Sequence, residues 1–149
     1  MTKSIDEARA RVPLRAGLLA GPLDDLGAVR LAGCRCSACG ETAFGEAQVC
    51  PNCGRDTVEP VALSDRGVLW GFTVVRHRPP GDYRGPQPFA PFGLGLVELP
   101  EGVRVLSPIQ CEVGELEIGM ALRFQPYLRG DPDEDVVAFS FAPTRGADV

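Results

Sequence analysis

Two Cys-x-x-Cys pairs separated by ten residues, Cys36/Cys39 and Cys50/Cys53, constrain this chain more than any other feature. Four thiolates at that spacing can converge on one ion at tetrahedral corners, the closed geometry of structural zinc sites. Glycine follows each pair, at Gly40 and Gly54, where the tight turns that aim two sulfurs at one point often need a positive φ. Pro51 stiffens the second turn. Disulfides and free buried thiols compete with this reading. The sequence opens with no cationic and apolar leader, and a doubled Cys-x-x-Cys in a cytosolic chain reads as a metal site. Zinc is the expected ion, and iron held by four thiolates would look the same in sequence. Such a site leaves no open position for substrate, so it points to scaffolding and not to catalysis. Cys34 forms only a Cys-x-Cys spacing with Cys36, which fits a knuckle poorly. Cys111 as a nucleophile would need a base, and the sole histidine, His77, has no motif that brings it near.

At 149 residues the chain suits one compact unit, or two small ones where metal replaces part of a core. A net charge of −5 argues against the broad positive field that bulk nucleic-acid binding requires. No apolar run reaches the length of a membrane-spanning helix, and the expectation is a soluble, cytoplasmic protein. With 18 glycines and 14 prolines the chain should be rich in turns and β-structure.

Three regions are expected: an N-terminal arm over residues 1–30, a rubredoxin-like ribbon over 31–60 and a barrel over 61–149. Ser4 and Glu7 form a capping box for a short helix that ends before Pro13. The segment from Val12 to Arg30 reads as extended, with one helical turn near Leu23 to Leu26, and either wraps the chain or a partner or stays disordered. From Gly67 onward the apolar pattern has period two. Val68, Trp70, Phe72 and Val74 fall on one face, which puts Trp70 and Phe72 in a core, and Arg76 and Arg78 extend that face. Leu94 to Leu99 follows, then Val103, Val105 and Ile109. Met120, Leu122 and Phe124 alternate with Arg123 and Gln125, and Val137, Phe139 and Phe141 alternate with Ala138 and Ser140. Five such strands make a small closed barrel of the OB type. The interval Cys111 to Gly119 is too short for the helix usual in that fold, so a turn or a 3₁₀ loop should replace it. Pro79 to Phe92 is a long loop, stiffened by prolines and carrying Tyr83, Phe89 and Phe92 as apolar contacts. The acidic run at Asp131, Asp133, Glu134 and Asp135 lacks the frame of a cation loop and reads as a hairpin turn.

The knuckles Cys36-Ser37-Ala38-Cys39-Gly40 and Cys50-Pro51-Asn52-Cys53-Gly54, the strand from Gly67 to Val75 and the run from Leu116 to Phe124 together resemble an acyl-CoA-associated family. That family, domain of unknown function thirty-five, joins a rubredoxin-like zinc ribbon to an OB-fold. The resemblance spans about residues 22–143, and the cysteine frame is its specific part. It implies a non-catalytic accessory subunit that helps shape an acyl-CoA site on a thiolase-like or lipid-transfer-protein-like enzyme, a thiolase or a retro-aldolase of steroid side-chain degradation. No catalytic residue is expected in this chain. Arg76, His77, Arg78, Tyr83, Phe89 and Phe92 are the candidates for contact with partner or acyl-CoA, the arginines toward the CoA phosphates. The alternative is a single-stranded nucleic-acid-binding OB protein, with Trp70, Phe72 and the Arg76–Arg78 stretch as its platform. A rubredoxin-like electron carrier would use the same four cysteines with iron.

Overall fold

The computed structural model describes residues 10–144. The helix expected from Ser4 and Glu7 falls largely outside them. Among the described residues almost all regular structure is strand, and the helical content is two single 3₁₀ turns, Leu26–Ala28 and Val113–Glu115. The chain forms two compact units. One gathers the described residues up to Ser64 with Pro126–Phe139, and the other gathers Asp65–Gln125 with the described residues from Ser140 onward.

In the first unit, β1 (Arg11–Pro13) runs parallel to the start of β10 (Asp135–Pro143), with Arg11 opposite Asp135. β2 (Leu19–Ala20), β4 (Thr42–Phe44) and β5 (Val58–Ala62) all pair antiparallel with β3 (Arg30–Cys36), which is the central strand. The Val12 to Arg30 segment is thus tied by strand pairing to its own chain, and its one turn is closed by the Asp25 carboxylate accepting from the Gly27 amide at 3.2 Å. These neighbours pair the backbone of β3 on both edges, and its run from Leu31 to Cys34 is buried on both faces. A Cβ at Gly33 would stand 2.7 Å from Leu63 Cδ2 and 2.8 Å from the Ala43 carbonyl oxygen, so only glycine fits.

The second unit is built on β6 (Arg66–Val75), β7 (Phe92–Glu98) and β8 (Arg104–Ile109), joined as antiparallel neighbours. β9 (Ala121–Gly130) pairs with β6, β10 pairs with β8, and β9 also pairs with β10, which closes the five-stranded OB-like barrel. The Val113–Glu115 turn occupies the interval where a longer helix had no room, as its length implied. The inner faces of β7 and β8 alternate as expected, with Val97, Val105 and Ile109 buried, and Leu99 and Val103 are buried in the turn that joins the two strands. Leu122 and Phe124 are buried on β9, and Phe124 meets Phe141 edge to face at 5.6 Å. β10 departs from simple alternation. It is buried from Val136 to Ala142 on both faces, and the Ser140 hydroxyl is satisfied by donating to the Gln125 carbonyl at 3.3 Å.

β6 corrects the sequence pattern. Trp70 is 47% exposed and Val68 39%, whereas Leu69 between them is fully buried. The register shows why. Leu69 lies opposite Val97 and Gly71 opposite Leu96, so Trp70 is an extra residue in a β-bulge. An added residue reverses which side chains face inward. Before the bulge Leu69 is the inward residue; after it Phe72 lies opposite buried Gly95 and Val74 opposite buried Gly93. Trp70 therefore belongs to the outer face and not to the core, and Phe72, 38% exposed, does not form a sealed core position either.

Candidate metal centre and aromatic loop

The first knuckle ends β3 and the second follows β4, and they share one hydrogen-bond pattern. In the first, the Gly40 amide donates to the Cys36 carbonyl at 2.8 Å and the Cys36 amide to the Glu41 carbonyl at 2.9 Å. In the second, Gly54 donates to Cys50 at 2.8 Å and Cys50 to Arg55 at 2.7 Å. Gly40 and Gly54 have φ of +81° and +80°, the left-handed conformation that closes each turn.

The four Sγ atoms all lie within 4.8 Å of one another. Cys36 and Cys53 sulfurs are 3.7 Å apart, and those of Cys39 and Cys50 are 3.6 Å apart. Tetrahedral corners about 2.3 Å from a central ion are about 3.8 Å apart, so the cluster has the size that a four-thiolate ion requires. These separations are far above the disulfide length of about 2.0 Å. The cluster can hold a metal ion, and its donors are all thiolates. Cys34, although buried in the same strand, is not among the four.

Donors are already aimed at the sulfurs. The Asn52 and Cys53 amides point at Cys50 Sγ at 3.3 and 3.4 Å, and the Asn52 side-chain amide points at Cys39 Sγ at 3.6 Å. Thr57 Oγ1 lies 3.2 Å from Cys36 Sγ. That hydroxyl, with backbone amides at Cys39 and Ala38, lowers the Cys36 thiol to about 6. Asn52, then a backbone amide at Glu41, lowers Cys39 as well. At Cys53 a backbone amide at Arg55 acts downward, but burial and hydrogen bonds from the Cys36, Cys50 and Cys39 sulfurs outweigh it and raise the thiol to about 11. Without a bound cation Cys36 is thus biased toward the thiolate and Cys53 toward the thiol, and an incoming cation must displace the Cys53 proton.

The six candidate contact residues lie in the second unit. Arg76, His77 and Arg78 are exposed just past β6. The loop behind them is internally stacked. The Arg78 guanidinium sits 5.7 Å from the Tyr83 ring centre, Tyr83 meets Phe89 edge-on at 5.7 Å, and Phe89 meets Phe92 at 6.3 Å. Its aromatic rings are partly buried against one another. Arg76 and His77 stand outside this chain of contacts. Cys111 does not pair with His77: its sulfur donates to the Glu112 carbonyl at 3.5 Å, and burial, with the nearby Glu115 and Glu112 carboxylates, raises its thiol, which disfavours a nucleophile.

Comparison with known proteins adds a lineage to this geometry. A family model described as the C-terminal OB-fold domain of ChsH2 matches residues 60–125. A DUF35 domain-containing scaffold protein of Methanocaldococcus jannaschii is 32% identical over 115 residues, which cover 74% of this chain and 78% of that protein. The chain belongs to the DUF35 family. A benzoylsuccinyl-CoA thiolase subunit, BbsA of Geobacter metallireducens, is 36% identical over 90 residues, covering 60% of this DUF35 chain and 56% of BbsA. Among solved structures, the Ltp2-ChsH2(DUF35) aldolase matches with a TM-score of 0.60 and 28% identity, over 76% of this chain and 84% of that one.

Two groups beside the DUF35 cysteines were not evident from the cysteine spacing. Asn52 sits inside its knuckle and was open to notice as a side-chain donor. Thr57 lies outside either knuckle, and only the pairing of β3 with β5 brings it to Cys36. Among the described residues no helix is long and apolar enough to cross a membrane.

Proposed function

We propose that this DUF35 chain is a non-catalytic accessory subunit of a thiolase-superfamily enzyme that acts on CoA thioesters. One observation carries the reading: the chain is similar both to a thiolase subunit and to a chain of a two-component aldolase, while its own metal-type site is a closed set of four thiolates. In this reading Cys36, Cys39, Cys50 and Cys53 hold a structural zinc ion within a ribbon over residues 31–60, between an arm over 1–30 and the barrel over 61–149. The stacked loop from Arg78 to Phe92, with Arg76 and His77 beside it, borders the acyl-CoA site of the larger subunit in the cytoplasm. Exposed arginines offer charge-assisted contacts to CoA phosphates, and the aromatic stack offers a preordered apolar edge. Thioesters of steroid side chains are one substrate class for such an assembly.

Affinity purification of the tagged chain from its native host, with mass spectrometry and elemental analysis, tests both parts. A thiolase-superfamily chain in stable ratio and about one zinc per chain are expected. Recovery without such a chain refutes the subunit reading, and a coloured iron-loaded protein refutes zinc.

The exposure of Trp70 favours one competing reading, a single-stranded nucleic-acid platform. Against it stand the net charge of −5 and the Arg104 guanidinium that already covers the indole ring. Labelled oligonucleotides titrated at two salt concentrations separate the two, because phosphate contact produces a salt slope.

A further inference from the structure

We infer that the outer face of β6, β7 and β8 around Trp70 is the surface that docks the thiolase-type subunit, an inference that rests on the subunit reading above. Leu106 is 59% exposed and Ile118 69%, and with Trp70 and Val68 they account for half of the eight large apolar side chains left exposed among the described residues. The register makes them neighbours. Leu96 lies directly opposite Leu106 across β7 and β8, and opposite Gly71, next to Trp70, across β7 and β6. Ile118 precedes Gly119, whose amide donates to the Leu69 carbonyl at 2.7 Å, so it flanks the same strand. An apolar band thus crosses three strands and the adjoining loop, and among the described residues its Val68, Trp70, Leu106 and Ile118 side chains are left exposed.

Its centre is ordered before any contact is made. The Arg104 guanidinium lies 4.0 Å from the Trp70 ring centre, and its Nε donates to the Glu98 carboxylate at 3.2 Å. Tryptophan and arginine are the residues that most often carry interface energy, and a held pair loses little side-chain freedom on binding. Two observations select the occupant. The whole band lies inside residues 60–125, the stretch that matches the ChsH2 OB-fold domain, and the ChsH2 chain of similar structure occurs in an aldolase together with Ltp2. A net charge of −5 on each chain also opposes a second copy as the occupant, whereas a different subunit carries no such repulsion by necessity.

The test uses full-length protein and the thiolase-superfamily chain identified and purified as described above. Wild type, Trp70→Ala, Leu106→Glu and the control Val49→Glu, which alters a side chain 50% exposed in the other unit, are titrated against it by calorimetry. Trp70→Ala should raise Kd about thirty-fold, Leu106→Glu should raise it at least about ten-fold, and Val49→Glu should stay within about two-fold. Unchanged circular dichroism and metal content show that each variant is folded. Binding by both face variants within about three-fold of wild type overturns the docking surface while leaving the subunit reading intact. Variants that turn a dimer of the isolated chain into a monomer, with the titration unaltered, also overturn it, in favour of a second copy. If wild type captures no thiolase-superfamily chain, the subunit reading fails, and this inference with it.

Discussion

Truncating Leu69 and Trp70 separately distinguishes the bulged register of β6 from regular alternation. Leu69 is fully buried, and its Cδ1 stands 2.5 Å from where a Cβ at Gly95 would be. The facing strand offers no side chain at Gly95 to collapse into the space, so Leu69→Ala should leave most of its cavity open and cost about 3–5 kcal/mol. Trp70 is nearly half exposed, and its clearest contact is the Arg104 guanidinium. Loss of that contact, worth about 0.5–1 kcal/mol at an exposed site, with part of its apolar area makes Trp70→Ala cost about 1 kcal/mol. Regular alternation would invert the order, because truncating a core tryptophan costs about 3–5 kcal/mol. Urea unfolding followed by far-ultraviolet circular dichroism measures the difference, with zinc concentration fixed because bound metal shifts apparent stability. At a typical slope of about 2 kcal/mol/M the midpoint should fall by about 1.5–2.5 M for Leu69→Ala and about 0.5 M for Trp70→Ala. A Trp70→Ala loss equal to or larger than that of Leu69→Ala refutes the register. Trp70 is the sole tryptophan, so native fluorescence should also show a water-exposed indole.

Cys39→Ser should release the ion and, through lost metal stabilisation, lower the melting temperature of the first unit; atomic absorption and thermal unfolding with and without chelator check both. In metal-free protein the lowered Cys36 thiol contributes stability that is fully present above its ordinary value of 9.0 and lost as pH falls through about 6. The raised Cys53 thiol acts oppositely: its contribution is present below 9.0 and lost as pH rises through about 11. Zinc titrated into metal-free protein near neutral pH should therefore release protons, Cys53 among their sources, with affinity rising as pH rises; potentiometric titration that found no proton release would contradict this. Phe89→Ala combined with Phe92→Ala removes the edge stack of the loop and should weaken partner binding about ten-fold or more while leaving metal content unchanged; loss of metal would show the loop to be structural.

Much of this architecture is legible because its signals are short-range. The spacing of Cys36, Cys39, Cys50 and Cys53 is a local constraint, and their sulfurs meet as that spacing requires. Alternation along β8 and β9 identifies buried Val105, Ile109, Leu122 and Phe124, since one face of each strand lines the barrel. β10 is less legible. Its second face is covered, so Ala138 and Ser140 are as buried as their neighbours, and burial on both sides depends on partners remote in sequence. β6 fails for another reason. A bulge is defined by two strands together, and nothing in the Gly67 to Val75 sequence marks Trp70 as the residue without a cross-strand partner. Thr57 is hidden in the same way, since it reaches Cys36 through strand pairing and not through the knuckle.

The outward placement of Trp70 follows from the volume available inside so small a barrel. Phe124 and Phe141 already meet edge to face in the interior. The inner side of β6 and β7 is lined by glycines where larger groups would collide: a Cβ at Gly67 would lie 2.7 Å from Val97 Cγ1, and one at Gly93 would lie 2.6 Å from Leu116 Cδ1. An indole added to that space would overpack it, at a cost of about 1–3 kcal/mol or more. The bulge removes the conflict by turning the indole to the other side, where Arg104 covers its ring but leaves nearly half of the residue in water. The remaining exposure, adjoining Leu96 and Leu106, is unfavourable for an isolated chain and is offset where a second surface excludes that water. The packing demand that makes β6 irregular thus also produces the apolar face from which this DUF35 chain is proposed to bind its partner.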